Sequence, residues 1–170
     1  MMIGVGEQFP HTSIEGTCGG TIDAFYTGDK PLEWQVIFFY PKDFTFICPT
    51  EISAFQKVEE LEGVNVFGIS PDNEYSHLAW IESNKLLENV RFPLLADSGN
   101  MLAEELGIVS NENVPYRATF IVNPGGIIEH ISVNALDTGR NADEVVRTVE
   151  ALRAGGLTGC EWQQGDEFVA

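Results

Sequence analysis

The sequence predicts an α/β fold in which a mixed central β-sheet is flanked by helices on both faces, and three observations carry that expectation. Val36-Ile-Phe-Phe-Tyr40 is bulky and apolar without alternation, the mark of a strand buried on both sides. Helical spacing at Ile52, Phe55, Val58 and Leu61 follows it, and a second apolar run at 64–70 completes a β-α-β unit. Further on, runs at 118–122 and 127–133 flank Asn123-Pro124-Gly125-Gly126, a hairpin signal that adds antiparallel strands to the parallel pair. A length of 170 residues with 44% hydrophobic content fits one domain, 1–170, with its own core.

Residues 1–33 are rich in Gly, Thr and polar residues and suit a short edge hairpin or an irregular lead-in. Pro41 ends the first core strand because it lacks a ladder donor, so a loop follows. Pro49 is tolerated only in a first helical turn and Glu51 sits where a carboxylate favours the helix dipole, which places the helix start near Cys48. After the second strand, Pro71-Asp72-Asn73 supplies a turn and a cap for a helix expected over 75–87. A short strand around Leu94 and a helix over about 100–106, closed by Gly107, come next. Asn141, with Glu144 three positions on, opens a last amphipathic helix marked by Val145, Val146, Val149 and Leu152. The glycine-rich stretch 155–170 leaves that periodicity and is expected to be a mobile tail.

Lys and Arg total 9 against 26 Asp and Glu, a formal net charge of -17. Such a chain is repelled by nucleic acid and by anionic membrane surfaces, and its acidity serves solubility first. Residues 1–7 lack the basic region and long apolar run of a signal peptide, and no stretch approaches the ~20 apolar residues that cross a bilayer. The expected location is the cytoplasm, where Cys18, Cys48 and Cys160 are poor candidates for a static disulfide framework. No C-x-x-C spacing occurs, and His11, His77 and His130 form no paired ligand pattern, so neither a metal nor a cofactor is expected.

Of the three thiols, Cys48 has the setting for chemistry. The partial positive charge and unpaired N–H groups of a helix N-terminus favour thiolate, the nucleophilic form. A buried, inert thiol is the commoner outcome for the residue type. Thr45, three positions earlier, and the loop restricted by Pro41 weigh the other way, and the residues by themselves leave the two readings balanced. Cys18, in a turn-like Thr-Cys-Gly-Gly, reads as incidental, and His77 and Trp80 read as packing residues of a helix.

Pro41-x-x-x-Thr45-x-x-Cys48, within Phe-Tyr-Pro-Lys-Asp-Phe-Thr-Phe-Ile-Cys-Pro-Thr-Glu, closely resembles the active-site segment of the peroxiredoxins. The match is to the typical two-cysteine, alkyl hydroperoxide reductase C-like group (AhpC/TSA). The likeness continues through Tyr-Ser-His-Leu-Ala-Trp at 75–80, Phe-Pro-Leu-Leu-Ala-Asp at 92–97, Arg-Ala-Thr-Phe-Ile-Val at 117–122 and Gly-Arg-Asn-Ala-Asp-Glu at 139–144. It implies a thioredoxin-like fold and a thiol peroxidase, acting on hydrogen peroxide and organic hydroperoxides, in antioxidant defence. Cys48 would be the peroxidatic thiol, Thr45 and Arg117 would stabilise the charge that develops on the peroxide, and Pro41 would shield the sulfur from water. Glu51 and Arg140 resemble the pair that orients Arg117.

The same resemblance implies that Cys160, 112 positions beyond Cys48, resolves the sulfenic acid as an intersubunit disulfide in a homodimer, with dimers assembling into rings. Electrons would come from a thioredoxin-like protein or an alkyl hydroperoxide reductase D-like or F-like one. Two departures bear on resolution: Glu161 stands where many members have Pro, and Thr158 where one branch carries a further Cys. Peroxide-sensitive members carry a Gly-Gly-Leu-Gly insertion and a C-terminal helix ending in Tyr-Phe; neither is present, so resistance to overoxidation is expected. A thioredoxin-like reductase, which would need a nearby second Cys, and a non-enzymatic holdase are the competing readings; peroxide-dependent use of a reductant separates both from the first.

Overall fold

The computed structural model describes residues 2–28 and 32–170; Met1 and the part of the lead-in at 29–31 lie outside the described residues. The lead-in forms an antiparallel hairpin of β1 (Thr12–Cys18) and β2 (Thr21–Thr27), turned through Gly19 and Gly20, both with positive φ. It sits at one margin of a seven-stranded mixed sheet of order β2-β1-β5-β4-β3-β6-β7. The other strands are β3 (Trp34–Phe39), β4 (Val64–Ser70), β5 (Leu94–Ala96), β6 (Arg117–Val122) and β7 (Ile128–Asn134). β3, β4 and β5 run parallel, while β6 lies antiparallel to β3 and β7 antiparallel to β6.

The central strand β3 divides its side chains between two cores, as its unbroken apolar run requires. Val36, Phe38 and Tyr40 face a cluster built with α1 (Cys48–Glu59), α4 (Ala142–Ala154) and Trp80 of α2 (Glu74–Ser83). Ile37 and Phe39 face the opposite cluster, with Leu102, Ala103 and Leu106 of α3 (Met101–Leu106). Helices therefore cover both faces, the arrangement of a thioredoxin-like fold. In β4, a Cβ on Gly68 would come within 2.8 Å of both Leu94 and Phe38, so only glycine lets these three strands close up around Phe38.

The expected caps form. Asn73 accepts from the Ser76 amide at 2.9 Å, Asn141 from the Glu144 amide at 3.1 Å, and Gly107 closes α3 with φ of 74°. Asp97 adds a cap absent from the sequence reading, its two oxygens accepting from the amides of Leu102 and Ala103 at 2.9 Å each.

One boundary differs. α2 stops at Ser83, not at 87, because Asn84 is extended and its side chain accepts from the Leu86 amide. Leu87, which continues the apolar spacing, reaches the core from the turn that follows and is fully buried there. The segment 155–170 packs back on α4: Trp162 is buried, stacks on Phe168 at 6.2 Å, and its carbonyl accepts from Arg147 at 3.0 Å.

Candidate active site

Cys48 is the first residue of α1 and is fully buried in the α1/α4 core. Ile47 precedes the helix without a side-chain cap, and Pro49 occupies the first turn, where its missing N–H costs nothing. The Thr50 and Glu51 amides turn back to the Ile47 carbonyl at 3.0 and 3.3 Å, and the periodic Ile52, Phe55 and Val58 fix the helix against the sheet.

Arg117, the first residue of β6, reaches the sulfur. One of its terminal nitrogens lies 3.3 Å from Cys48 Sγ and 2.9 Å from Glu51 Oε2, while Nε donates to the Leu136 carbonyl at 2.6 Å. Glu51, one turn into α1, turns inward and is buried. Its carboxylate accepts from Arg140 through Nε to Oε1 at 2.9 Å and Nη2 to Oε2 at 2.7 Å, a bidentate pair, and from the Arg140 amide at 3.2 Å. Arg140 also donates to the Ala118 carbonyl at 3.0 Å and lies over the rings of Phe38 and Phe55 at 5.0 and 5.6 Å. Burial pushes the Arg140 guanidinium below its usual value, and Glu51 opposes that shift.

Two guanidiniums face one carboxylate in a nearly dry pocket, so one positive charge is left over beside the sulfur. Negative charge developing on the sulfur or on an oxygen held against it is what offsets the excess.

The loop 41–47 leads into this helix start, with Pro41 and Thr45 half-buried in it. The Thr45 hydroxyl donates to the Lys42 carbonyl at 2.8 Å, so in this state its proton closes the loop and its oxygen keeps acceptor capacity. Cys160 stands apart from the buried cluster. It is an exposed free thiol in the turn after α4, lining a surface cavity with Arg147, Ala151 and Leu152, and Glu161 beside it takes a left-handed φ of 62°. The structure therefore brings together Cys48, Glu51, Arg117 and Arg140, sets Pro41 and Thr45 on the adjoining loop, and leaves Cys160 outside.

Beneath the same loop lies a polar cluster that the sequence reading missed. Tyr40, Asp43 and His77 are all buried. Tyr40 donates to Asp43 Oδ1 at 2.8 Å; Asp43 Oδ2 faces His77 Nδ1 at 2.6 Å; His77 Nε2 faces the Leu95 carbonyl at 2.9 Å. Burial, and then the Asp43 carboxylate, push the Tyr40 phenol well up, which keeps it a donor. Trp80 is the packing residue expected, its ring 6.0 Å from those of Tyr40 and Phe44, whereas His77 is bonded through both nitrogens. The only local signal was a histidine on the inner face of α2, without a visible partner in sequence.

Cys18 is half-buried and donates to the Arg91 carbonyl at 3.3 Å; burial, and then Glu59, push its thiol up. A raised thiol is a poor nucleophile at neutral pH, so Cys18→Ser is expected to leave peroxide-dependent turnover within about twofold of wild type. A coupled assay on the single variant checks it.

A buried cysteine at a helix N-terminus, held against a guanidinium that a carboxylate and a second guanidinium keep in place, defines a thiol-based oxidoreductase site. The model of the AhpC/TSA family matches residues 5–131. The alkyl hydroperoxide reductase C of Mycolicibacterium smegmatis is 38% identical over 99% of this chain and 94% of its own length, and mouse peroxiredoxin-2 is 34% identical over 97% and 89%. Among solved structures, Mycobacterium tuberculosis AhpC superposes with a TM-score of 0.86 at 34% identity, covering 96% of this chain and all of its own. A reduced 2-Cys peroxiredoxin from Plasmodium vivax gives 0.87 at 29% identity, over 96% and 91%. The chain belongs to the AhpC/TSA family and is a thiol peroxidase of the peroxiredoxin type.

Proposed function

We propose that this enzyme reduces hydrogen peroxide and organic hydroperoxides at Cys48, with Cys160 as the resolving thiol. The observation that supports it most is the Arg117 nitrogen shared between Cys48 Sγ and Glu51. The Cys48 thiolate attacks one peroxide oxygen, the S–O bond forms as the O–O bond breaks, and the departing oxygen takes a proton to leave as water or an alcohol. Cys48 is then a sulfenic acid. Attack by a second thiol on its sulfur expels water and gives a disulfide, which a dithiol donor reduces in turn.

Within this scheme Arg117 stabilises the charge on the peroxide oxygens, Thr45, its own proton held by the Lys42 carbonyl, accepts from the hydroperoxide O–H and so holds the peroxide in place, and Pro41 covers the sulfur. Glu51 and Arg140 are positioning residues for Arg117. Cys48 is fully buried and Cys160 exposed, which suits resolution between two chains after the helix start opens and the 155–170 segment leaves α4. The donor is a thioredoxin-like or alkyl hydroperoxide reductase D-like or F-like protein, and the working form is a homodimer able to build rings. The chemistry and the absence of any helix long and apolar enough to cross a membrane among the described residues suit a cytoplasmic antioxidant role.

Stopped-flow oxidation of the reduced protein tests the assignment. Arg117→Ala is expected to lower the second-order rate with peroxide about tenfold or more, a loss of ~1.4 kcal/mol at the transition state. Thr45→Val should slow attack similarly. On non-reducing gels the oxidised wild type should run as a covalent dimer, and an internal disulfide in a monomer would overturn the intersubunit pairing. An unchanged rate in Arg117→Ala would remove that residue from the site.

A further inference from the structure

The loop 41–47 has little apolar packing of its own. Phe46 is 96% exposed and Phe44, in a left-handed conformation with φ of 56°, is 61% exposed. What fastens it is Asp43. Its carboxylate meets Tyr40 at the end of β3 and His77 of α2, and its amide donates at 2.8 Å to Asp72, which also accepts from Ser70 at 2.8 Å. One residue of the loop is thus tied to a strand end, a helix and the turn before that helix.

The loop runs directly into Cys48, which is covered completely, whereas any thiol that is to form a disulfide with it needs the sulfur uncovered. Peroxide attack needs the opposite, the closed arrangement in which Arg117 touches the sulfur.

We propose that Tyr40, Asp43 and His77 act as a polar bolt that sets how often the Cys48 segment opens, favouring the closed geometry for peroxide attack and opposing the open one for disulfide formation. They are positioning residues, since none touches the sulfur. The kinetic consequence rests on the peroxidase reading; the opening itself does not. Asp43 is the centre of the bolt because it alone joins the other two through its side chain while holding the loop backbone through its amide. Removing it leaves the Tyr40 hydroxyl and the His77 Nδ1 only their longer 3.3 Å contact with each other in a dry site.

The bolt can be read without peroxide. In a Cys18→Ser, Cys160→Ser background, Cys48 alkylation and hydrogen exchange of amides 42–50 are compared across Tyr40→Phe, Asp43→Ala and Asp43→Asn, with urea midpoints recorded for each. Loss of one hydroxyl in Tyr40→Phe is expected to speed alkylation about fivefold, and Asp43→Ala roughly tenfold or more. Asp43→Asn can accept from Tyr40 and donate to His77 Nδ1, and is expected to restore most of the protection.

With Cys160 restored, Tyr40→Phe should slow peroxide attack and speed disulfide formation, opposite shifts that a general loss of stability does not produce. Wild-type alkylation rates in Tyr40→Phe and Asp43→Ala would overturn the bolt, as would exchange that rises evenly over the sheet instead of within 42–50. If Asp43→Ala does not fold, Tyr40→Phe decides alone. A protected Cys48 in a wild type that consumes no peroxide would sink the peroxidase reading and leave the bolt standing; peroxide turnover with unchanged alkylation would do the reverse.

Discussion

Cys48→Ser is expected to abolish peroxide consumption in the presence of dithiothreitol or a thioredoxin system. The hydroxyl that replaces the thiol sits in the same buried place beside Arg117, but at neutral pH it offers almost no anion, and no other thiol reaches that nitrogen. The loss should be total within assay limits. Cys160→Ser separates the steps: the first oxidation proceeds, a sulfenic acid accumulates at Cys48, and cycling with a thioredoxin-type donor stops. Both variants run as monomers on non-reducing gels. Peroxide turnover that survives in Cys48→Ser would mean that the reaction occurs elsewhere in the chain.

Glu51→Gln is expected to be the most damaging change to the fold among the site residues. Glu51 is the one carboxylate between two guanidiniums whose side chains are only 5% and 3% exposed. Taking its charge away leaves two buried cations facing each other, a defect of about 3–5 kcal/mol by comparison with broken buried ion pairs. That is a large part of the roughly 5–15 kcal/mol that holds a domain together. The urea midpoint should fall sharply, and at low temperature, where the variant is still folded, oxidation by peroxide should be slowed more than tenfold because Arg117 loses the group that aims it. Glu51→Asp, which keeps the charge on a shorter arm, should recover stability more than rate. A midpoint within error of wild type would show that the arginines are compensated from another direction.

Much of this arrangement could be read along the chain because its signals are local. The unbroken run at 36–40 gave the central strand, and its use in two cores is what the lack of alternation means physically. Pro49 and the spacing of Ile52, Phe55 and Val58 located the helix start, and with it Cys48.

The pairing of Glu51 with Arg140 was legible only through family likeness, since 89 positions separate the two and residue type alone makes either a surface charge. The Asp43–His77 contact had no such help. Nothing local to a histidine 34 positions away announces its partner, and its burial comes from where β5 and α2 meet. The helix α2 was overextended because Leu87 keeps the apolar rhythm that a turn serves equally well, while the competing hydrogen bond of Asn84 leaves no mark in a periodicity. In the 155–170 segment the glycines are the local signal, whereas Trp162 is buried beside residues distant in sequence, Leu61 and Glu62 in the turn after α1 and Glu150 and Arg153 of α4.

The closed cover over Cys48 has an electrochemical consequence. A disulfide at that sulfur can exist only with the cover open, so whatever free energy holds the segment shut belongs to the dithiol form alone. Each ~1.4 kcal/mol of closure raises the reduction potential of the couple by about 30 mV, in the direction of a stronger oxidant. In the proposed disulfide cycle, closure of the segment would therefore help drive each reduction, so that a donor of modest reducing power would suffice.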